Sequence, residues 1–124
     1  MSEASGRFAY EGLERILHEK ARLGIMTSLM TRHEGLAFAE LKQLVALTDG
    51  NLNRHIQVLH EAGLVAVHKS VRGRRSQTRY RLTLAGRRRF VAYLAELERV
   101  IKDAMTAGAR SRDRHDLPGE LAPA

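Results

Sequence analysis

The sequence predicts a mainly helical α+β fold, in which two short helices and a β hairpin precede one long C-terminal helix. Apolar residues recur every three or four positions within residues 38–45 and 48–62, which is the spacing of amphipathic helices. After Gly63 the apolar period changes to two, as expected of strands. The helical period returns over residues 84–105. With 124 residues, the chain is long enough for one domain with a buried core.

The N-terminal region also predicts helix. Residues 12–20 carry Leu13, Ile16 and Leu17 on one side, and an apolar stripe with a shifted phase begins after Ala21. We therefore expect two helical pieces or one bent helix. The first stripe has no obvious cover within a small domain, so its three apolar residues are expected to pack on a partner subunit.

A helix-turn-helix is predicted after Gly35, which breaks the preceding helix. Residues 38–45 form its first helix and residues 48–62 its second, with a link of about three residues between them. Thr48 or Asp49 can cap the second helix, because a short side-chain oxygen accepts an orphan backbone N–H. The second helix of such a motif usually enters the DNA major groove, although a helical hairpin without a DNA role has the same pattern.

The outer face of the second helix carries side chains that can read base edges. Asn51, Asn53, Arg54 and Gln57 lie away from an apolar stripe that includes Leu52. Asn and Gln pair with adenine through two hydrogen bonds, and Arg pairs with guanine in the same way. An ordinary amphipathic surface helix is the alternative interpretation.

The hairpin lies in the basic part of the chain. Residues 64–71 and 77–82 predict its two strands, and a turn with three arginines lies between them, at residues 72–76. The region 62–95 contains no acidic residue and nine cations, namely Lys69, Arg72, Arg74, Arg75, Arg79, Arg81, Arg87, Arg88 and Arg89. It therefore holds the whole surplus of the net charge of +7. A localised basic block indicates a polyanionic partner, unless it is only a solvated surface.

The last predicted helix begins after a capping Thr83 and extends to Met105. At 1.5 Å per residue it spans ~33 Å, which a small core does not cover, so part of its apolar face is expected to meet a second copy. The alternative is that the helix folds back on its own domain. We expect a flexible N-terminus at residues 1–11, a folded domain at 12–105 and a disordered tail at 106–124.

The run LTDGNLNRHIQVLHEAGLV, followed by GRRSQTRYRLTLAG, resembles winged-helix transcriptional regulators of the MarR/ArsR type, in particular a compact group of winged-helix DNA-binding domains. The resemblance extends over about residues 21–95. It implies a winged helix-turn-helix with a two-stranded β wing and a long C-terminal dimerisation helix. It also implies a homodimer on a pseudo-palindromic double-stranded DNA operator, with residues 48–62 in the major groove and the wing, 72–77, on the backbone or in the minor groove.

The pattern and the resemblance together give two sets of expected contacts. The expected DNA contacts are Thr48, Asn51, Asn53, Arg54, Gln57, Arg72, Arg74, Arg75, Ser76 and Gln77. The expected dimer contacts are Leu13, Ile16, Leu17, Phe90, Tyr93, Leu94, Leu97 and Ile101.

Other classes of function have little support in the sequence. The chain has no cysteine, which excludes thiol-based metal or redox sensing, and its six histidines include no helical i, i+4 pair. No catalytic constellation, cofactor motif, signal peptide or membrane span is evident, so we expect a cytoplasmic protein that is not an enzyme and binds no cofactor or metal. A small-molecule effector is compatible with the resemblance but unsupported. Two further hypotheses are a winged helix that docks its basic wing on an acidic protein, and one that binds RNA.

Overall fold

The computed structural model describes residues 6–115, and within them four helices and three strands follow one another along the chain. In order, these elements are α1 (Lys20–Met30), β1 (Leu36–Ala37), α2 (Phe38–Val45), α3 (Asp49–Glu61), β2 (Val65–Arg72), β3 (Arg75–Leu82) and α4 (Leu84–His115). The order of elements confirms the predicted α+β, mainly helical class.

Helices α2 and α3 form the predicted helix-turn-helix. Helix α2 begins where expected, because the Glu40 carboxylate accepts a hydrogen bond from the Ala37 N–H at 2.8 Å. Ala46 then adopts a left-handed conformation, which ends α2 and turns the chain. The Thr48 hydroxyl caps α3 by accepting from the Asn51 N–H at 3.2 Å, and Gly63 ends it with φ of 79°. Of the two caps that the sequence allowed, Thr48 is the one used.

The helix predicted over residues 12–20 is wrong. This part of the chain forms successive turns, with backbone bonds from Leu13 to Tyr10 and from Leu17 to Glu14 in place of a helical ladder. Helix α1 begins only at Lys20, because Glu19 is extended and its carboxylate accepts from the Arg22 N–H at 2.8 Å. The apolar residues with helical spacing are still used for packing, and Leu17 is completely buried within its own chain.

The hairpin belongs to a three-stranded antiparallel sheet with the order β1-β3-β2. Strand β1 was not predicted; its Leu36 pairs with Tyr80 of β3. Gly35 enables this pairing, since its φ is 96° and a Cβ there would lie 2.7 Å from the Tyr80 carbonyl oxygen. The turn is also tighter than the predicted residues 72–76, because Arg72 already pairs with Arg75 and Gly73 supplies the positive φ.

One core joins the helices to the sheet, with Leu29, Leu52, Leu59, Phe90 and Tyr93 among its fully or almost fully buried side chains. Burial of these large apolar groups is the main force that holds α3 and α4 on the rest of the domain. Along residues 6–115, no helix is both long and apolar enough to cross a membrane.

Helix α4 starts as predicted, with the Thr83 hydroxyl accepting from the Gly86 N–H at 2.8 Å. It is longer than predicted, because it continues past Met105 to His115. The expectation of a disordered tail therefore does not describe residues 106–115, and its remainder, at 116–124, lies outside the described residues.

Candidate nucleic-acid interface

The outer face of α3 presents the polar residues that the sequence singled out. The side chains of Asn51, Asn53, Arg54 and Gln57 are all exposed. Arg54 and Gln57 share one face of the helix, because they are three residues apart. This face lies opposite the buried Leu52. The Arg54 guanidinium lies 3.5 Å from the Asn51 side-chain oxygen, a long contact that leaves both groups free to bind elsewhere.

Thr48 differs from the other expected DNA contacts on α3. It is exposed, but its hydroxyl oxygen already accepts the Asn51 N–H as the helix cap. The hydroxyl hydrogen can still be donated to a phosphate oxygen. Beside it, the Lys42 ammonium lies 2.7 Å from the Asp49 carboxylate, which ties the end of α2 to the start of α3.

His55 anchors α3 from its inner face. Its side chain is 8 % exposed, and its Nδ1 accepts from the Arg22 guanidinium at 3.2 Å, since arginine can only donate. The same guanidinium donates through Nε to the Ile16 carbonyl at 2.6 Å, and the Glu19 carboxylate lies 3.9 Å from His55 Nε2. His55 is therefore a hydrogen-bonded histidine of the core.

Glu19 carries the negative charge of this cluster. Burial acts to raise the pKa of its carboxyl, but the hydrogen bond from the Arg22 N–H and the electrostatic influence of the nearby His55 and Arg22 side chains outweigh it. The pKa of Glu19 is therefore below its ordinary value, and the carboxylate stays ionised at neutral pH. The Glu19 carboxylate, at the start of α1, lies next to His55 in the middle of α3 and so helps to hold the two helices together.

The hairpin formed by β2 and β3 carries a basic tip. The exposed side chains there are Arg74, Arg75, Ser76 and Gln77, as contact with DNA would require. Arg72 is the last residue of β2, and its side chain lies outside the described part of the structure. The tip projects from the two-stranded end of the sheet, because β1 pairs with β3 only at Tyr80 and Arg79.

Several arginines of the basic block instead have partners within the chain. Arg79 is half-buried and donates to the Gly35 carbonyl at 3.1 Å, which fixes β3 to the loop before β1. Arg89 donates to the Glu14 carboxylate, and this hydrogen bond raises the pKa of its guanidinium although partial burial opposes the shift. Arg87 contacts the Met30 sulfur. Arg89 is thus paired with a carboxylate, whereas Arg74 and Arg75 at the hairpin tip are exposed.

The expected dimer contacts fall into two groups. Leu17, Phe90 and Tyr93 are buried in the core of their own domain. Leu13, Ile16 and Leu97 are partly buried and pack against the same core. By contrast, Leu94 and Ile101 are 41 % and 57 % exposed, and they remain available for a partner.

Two further exposed residues extend the apolar surface around Leu94 and Ile101. Val91 is 51 % and Met105 is 68 % exposed. Together, the four residues recur at intervals of three, seven and four, which places them on one side of α4. We refer to Val91, Leu94, Ile101 and Met105 as the α4 stripe.

The opposite flank of α4 is covered by the N-terminal segment, which the sequence did not predict. Tyr10 donates its hydroxyl to Asp103 at 2.8 Å, and the Gly12 N–H donates to Glu96 at 2.9 Å. Glu14 binds Arg89. The three partners on α4 are therefore spaced seven residues apart, at Arg89, Glu96 and Asp103. A hydrogen bond of 2.7 Å between His18 Nδ1 and the Tyr93 hydroxyl completes the attachment. Burial raises the pKa of the Tyr93 hydroxyl, which stays protonated.

Comparisons with known proteins agree with this arrangement. Residues 21–101 match the family of winged helix DNA-binding domains. An uncharacterised protein of Methanocaldococcus jannaschii is 35% identical over 89 residues, which cover 72% of this chain and 96% of that protein. These matches confirm the resemblance to winged-helix domains that the sequence suggested.

Solved structures share the fold as well. A transcriptional regulator homologue from Pyrococcus horikoshii is 32% identical and superposes with a TM-score of 0.72, covering 80% of this chain and 98% of that one. A protein of Enterococcus faecalis assigned to the MarR family of transcriptional regulators is 21% identical, with a TM-score of 0.64 and coverage of 77% and 84%. At that identity, the second likeness speaks for the fold alone.

Proposed function

Because the chain belongs to the family of winged helix DNA-binding domains, we propose that it is a homodimeric regulator of transcription that binds a pseudo-palindromic site in double-stranded DNA. In this proposal, α3 lies in the major groove, and the hairpin tip, at residues 72–77, lies along the phosphate backbone or in the minor groove. The observation that carries the proposal is the outer face of α3, where four exposed Asn, Arg and Gln side chains stand on a helix with a buried inner face.

The chemistry of that face favours base reading over protein docking. Arg54 can form two hydrogen bonds with guanine, and Asn51, Asn53 and Gln57 can do the same with adenine. Protein-binding hot spots are enriched in Trp, Tyr and Arg, and α3 has neither Trp nor Tyr. The rigid attachment of α3 through Leu52, Ile56 and Leu59 suits a reading helix, since base contacts require fixed distances.

The hairpin tip supplies charge next to the reading helix. Its exposed arginines suit phosphate oxygens and the negative potential of a narrow minor groove. Contacts of this kind fix the register of a protein on the duplex but carry little sequence information. The proposal therefore assigns specificity to α3 and salt-dependent affinity to the tip.

Dimerisation is supported by the α4 stripe. Helix α4 has 32 residues and is ~48 Å long, so it extends beyond the domain core. The stripe leaves large apolar groups in water, and a second copy would cover the same surface on both chains in a two-fold dimer. Two equivalent reading helices would then face half-sites about one helical turn apart.

The test compares two single-charge variants on duplexes recovered from a random library by the wild-type protein. Arg54→Ala is expected to lose ~1–3 kcal/mol per half-site of the recovered duplex and to relax the preference at one base pair of each half-site. Arg110→Ala is the matched control, because it removes one exposed arginine from the distal part of α4, away from both α3 and the α4 stripe. If Arg54→Ala weakens binding to every sequence equally, Arg54 contacts phosphate and does not read a base.

The recovered duplex also separates the proposal from the other hypotheses. An RNA duplex has a deep, narrow major groove that a helix does not enter, so an RNA-binding protein would depend on the tip far more than on Arg54. A module that docks on an acidic protein would recover no preferred duplex at all.

A further inference from the structure

Gly50 is the one glycine of α3, and nothing within the described chain explains it. It lies in the first turn of the helix and is exposed, and its φ is not positive. A Cβ built on Gly50 would meet no atom within 4 Å. Alanine would therefore fit this position without strain.

Most other glycines of the domain have an internal reason. Gly35, Gly63 and Gly73 adopt positive φ, which side chains disfavour. Gly24 faces Val45, whose Cγ1 would lie 3.3 Å from an added Cβ, and Gly86 lies directly against the Leu64 carbonyl. Gly50 and Gly108, the latter near the end of α4, share neither property, although glycine in a helix lowers the folding equilibrium about two- to fivefold relative to alanine. Of these two glycines, only Gly50 lies on the face proposed to read bases.

The missing side chain leaves a notch on the reading face. Gly50, Arg54 and Gln57 are spaced four and three residues apart, so they share the side of α3 that points away from the core. A glycine on an exposed face allows another molecule to approach the backbone closely. The residues next to this notch are those proposed to read bases.

We propose that Gly50 sets how deeply α3 enters the major groove, with the surface of the DNA duplex occupying the space that a side chain would fill. This inference rests on the proposed function and deepens it. Gly50 becomes a specificity-determining residue although it has no side chain with which to read a base.

The distance between α3 and the DNA matters more for base reading than for phosphate binding. Hydrogen bonds weaken beyond about 3.2 Å, so a displacement of α3 by the width of a methyl group would take Arg54 and Asn51 out of range of the base edges. The arginines of the hairpin tip have long, flexible stems and can follow the backbone over the same distance. A side chain at position 50 should therefore reduce specific binding and leave non-specific binding almost unchanged.

The experiment measures thermal stability and DNA binding on the same variants of the full chain. Gly50→Ala and Gly50→Leu are compared with the wild type, and both replacements introduce good helix formers. Ala92→Gly is the matched control, because Ala92 is exposed on α4, opposite the α4 stripe. Binding is measured on the duplex recovered by the wild type and on a duplex of unselected sequence.

Gly50→Ala is expected to raise Tm by about 2–6 °C, because a surface glycine is replaced in a helix. The same variant should bind the recovered duplex at least about fivefold more weakly, with Gly50→Leu weaker still, since overpacking a close contact is costly. Affinity for the unselected duplex should change by less than about twofold, because phosphate contacts supply non-specific binding. Ala92→Gly should show the reverse pattern, with a lower Tm and unchanged binding.

Each other outcome has a defined meaning. If the wild type binds a preferred duplex and Gly50→Ala binds it equally well, the inference is overturned while the proposed function stands. The inference also fails if Gly50→Ala weakens both duplexes to the same extent or lowers Tm. If the wild type recovers no preferred duplex, the proposed function fails and the inference fails with it.

Discussion

Replacing Arg74 and Arg75 by alanine removes two exposed positive charges from the hairpin tip without removing a contact within the described part of the domain. If both guanidiniums contact phosphates, the double variant should bind DNA more weakly, and its affinity should depend less on salt. The fold should be unaffected, because Arg79, which attaches β3 to the Gly35 carbonyl, is retained.

The size of this effect follows from counterion release. Each phosphate contact contributes about 0.9 to the slope of log affinity against log salt concentration, so the four contacts of a homodimer, two from each chain, contribute ~3.6. Between about 50 and 200 mM salt, a slope of 3.6 corresponds to ~150-fold in affinity. The variant should therefore lose ~150-fold less affinity than the wild type over this range.

The assay is a salt titration of duplex binding, repeated with a charge-matched control. Arg15→Ala with Arg110→Ala also removes two exposed charges, but from the N-terminal segment and the distal part of α4. Both double variants have the same net charge of +5, which is the wild-type +7 less two. An unchanged slope for the tip variant, or an equal change for the control, would refute the assignment of the tip to the phosphate backbone.

Three further predictions test the rest of the account. Leu94→Glu with Ile101→Glu should give a particle of 13.9 kDa by sedimentation equilibrium, because it places charge on the α4 stripe. Ala92→Glu, which leaves the stripe unchanged, should keep twice that mass. If the variant with Leu94 and Ile101 replaced is still a dimer, the interface lies elsewhere. Thr48→Ala should lower the free energy of unfolding by ~1 kcal/mol, because the α3 cap is lost. Thr48→Ser keeps the hydroxyl and should retain most of the stability of the wild type. Equal stability of the three proteins in denaturant would show that the cap contributes nothing. Because the pKa of Glu19 is lower in the folded chain than in the unfolded one, its contribution to stability is present above the unfolded pKa and is lost as pH falls through the folded pKa. Glu19→Gln should therefore show a shallower decrease of Tm on acidification from about pH 7 to about pH 3, and an identical decrease in both proteins would remove Glu19 from the acid response.

The helix-turn-helix could be predicted from the sequence because its signals are local. Thr48 and Gly63 act on the backbone of their own helix, and the stripe of Leu52, Ile56 and Leu59 shows which face is buried. The exposed Asn51 and Arg54 follow from the same periodicity. These parts of the candidate site needed no knowledge of distant contacts.

The N-terminal segment could not be predicted in this way. The spacing of its apolar residues is helical, but side chains far along the chain hold the segment in turns. Tyr10 binds Asp103 and Glu14 binds Arg89, at separations of 93 and 75 residues. Strand β1 is similar, because its two residues become a strand only through pairing with β3.

The face of α4 was predicted only in part, for a geometric reason. Its apolar residues cover a wide arc, and periodicity alone does not divide that arc between two neighbours. In the structure Phe90 and Tyr93 face the domain core, while Leu94 and Ile101 remain exposed. The division depends on how α4 packs on the core, which the sequence of the helix does not contain.

Selection from a random duplex library by the wild-type protein tests whether this chain is a dimeric reader of DNA sequence. We expect recovery of an inverted repeat with half-sites about one helical turn apart, as two copies of α3 in one dimer require. Binding that falls steeply with salt but recovers no preferred sequence would contradict it, because the protein would then offer DNA only a basic surface.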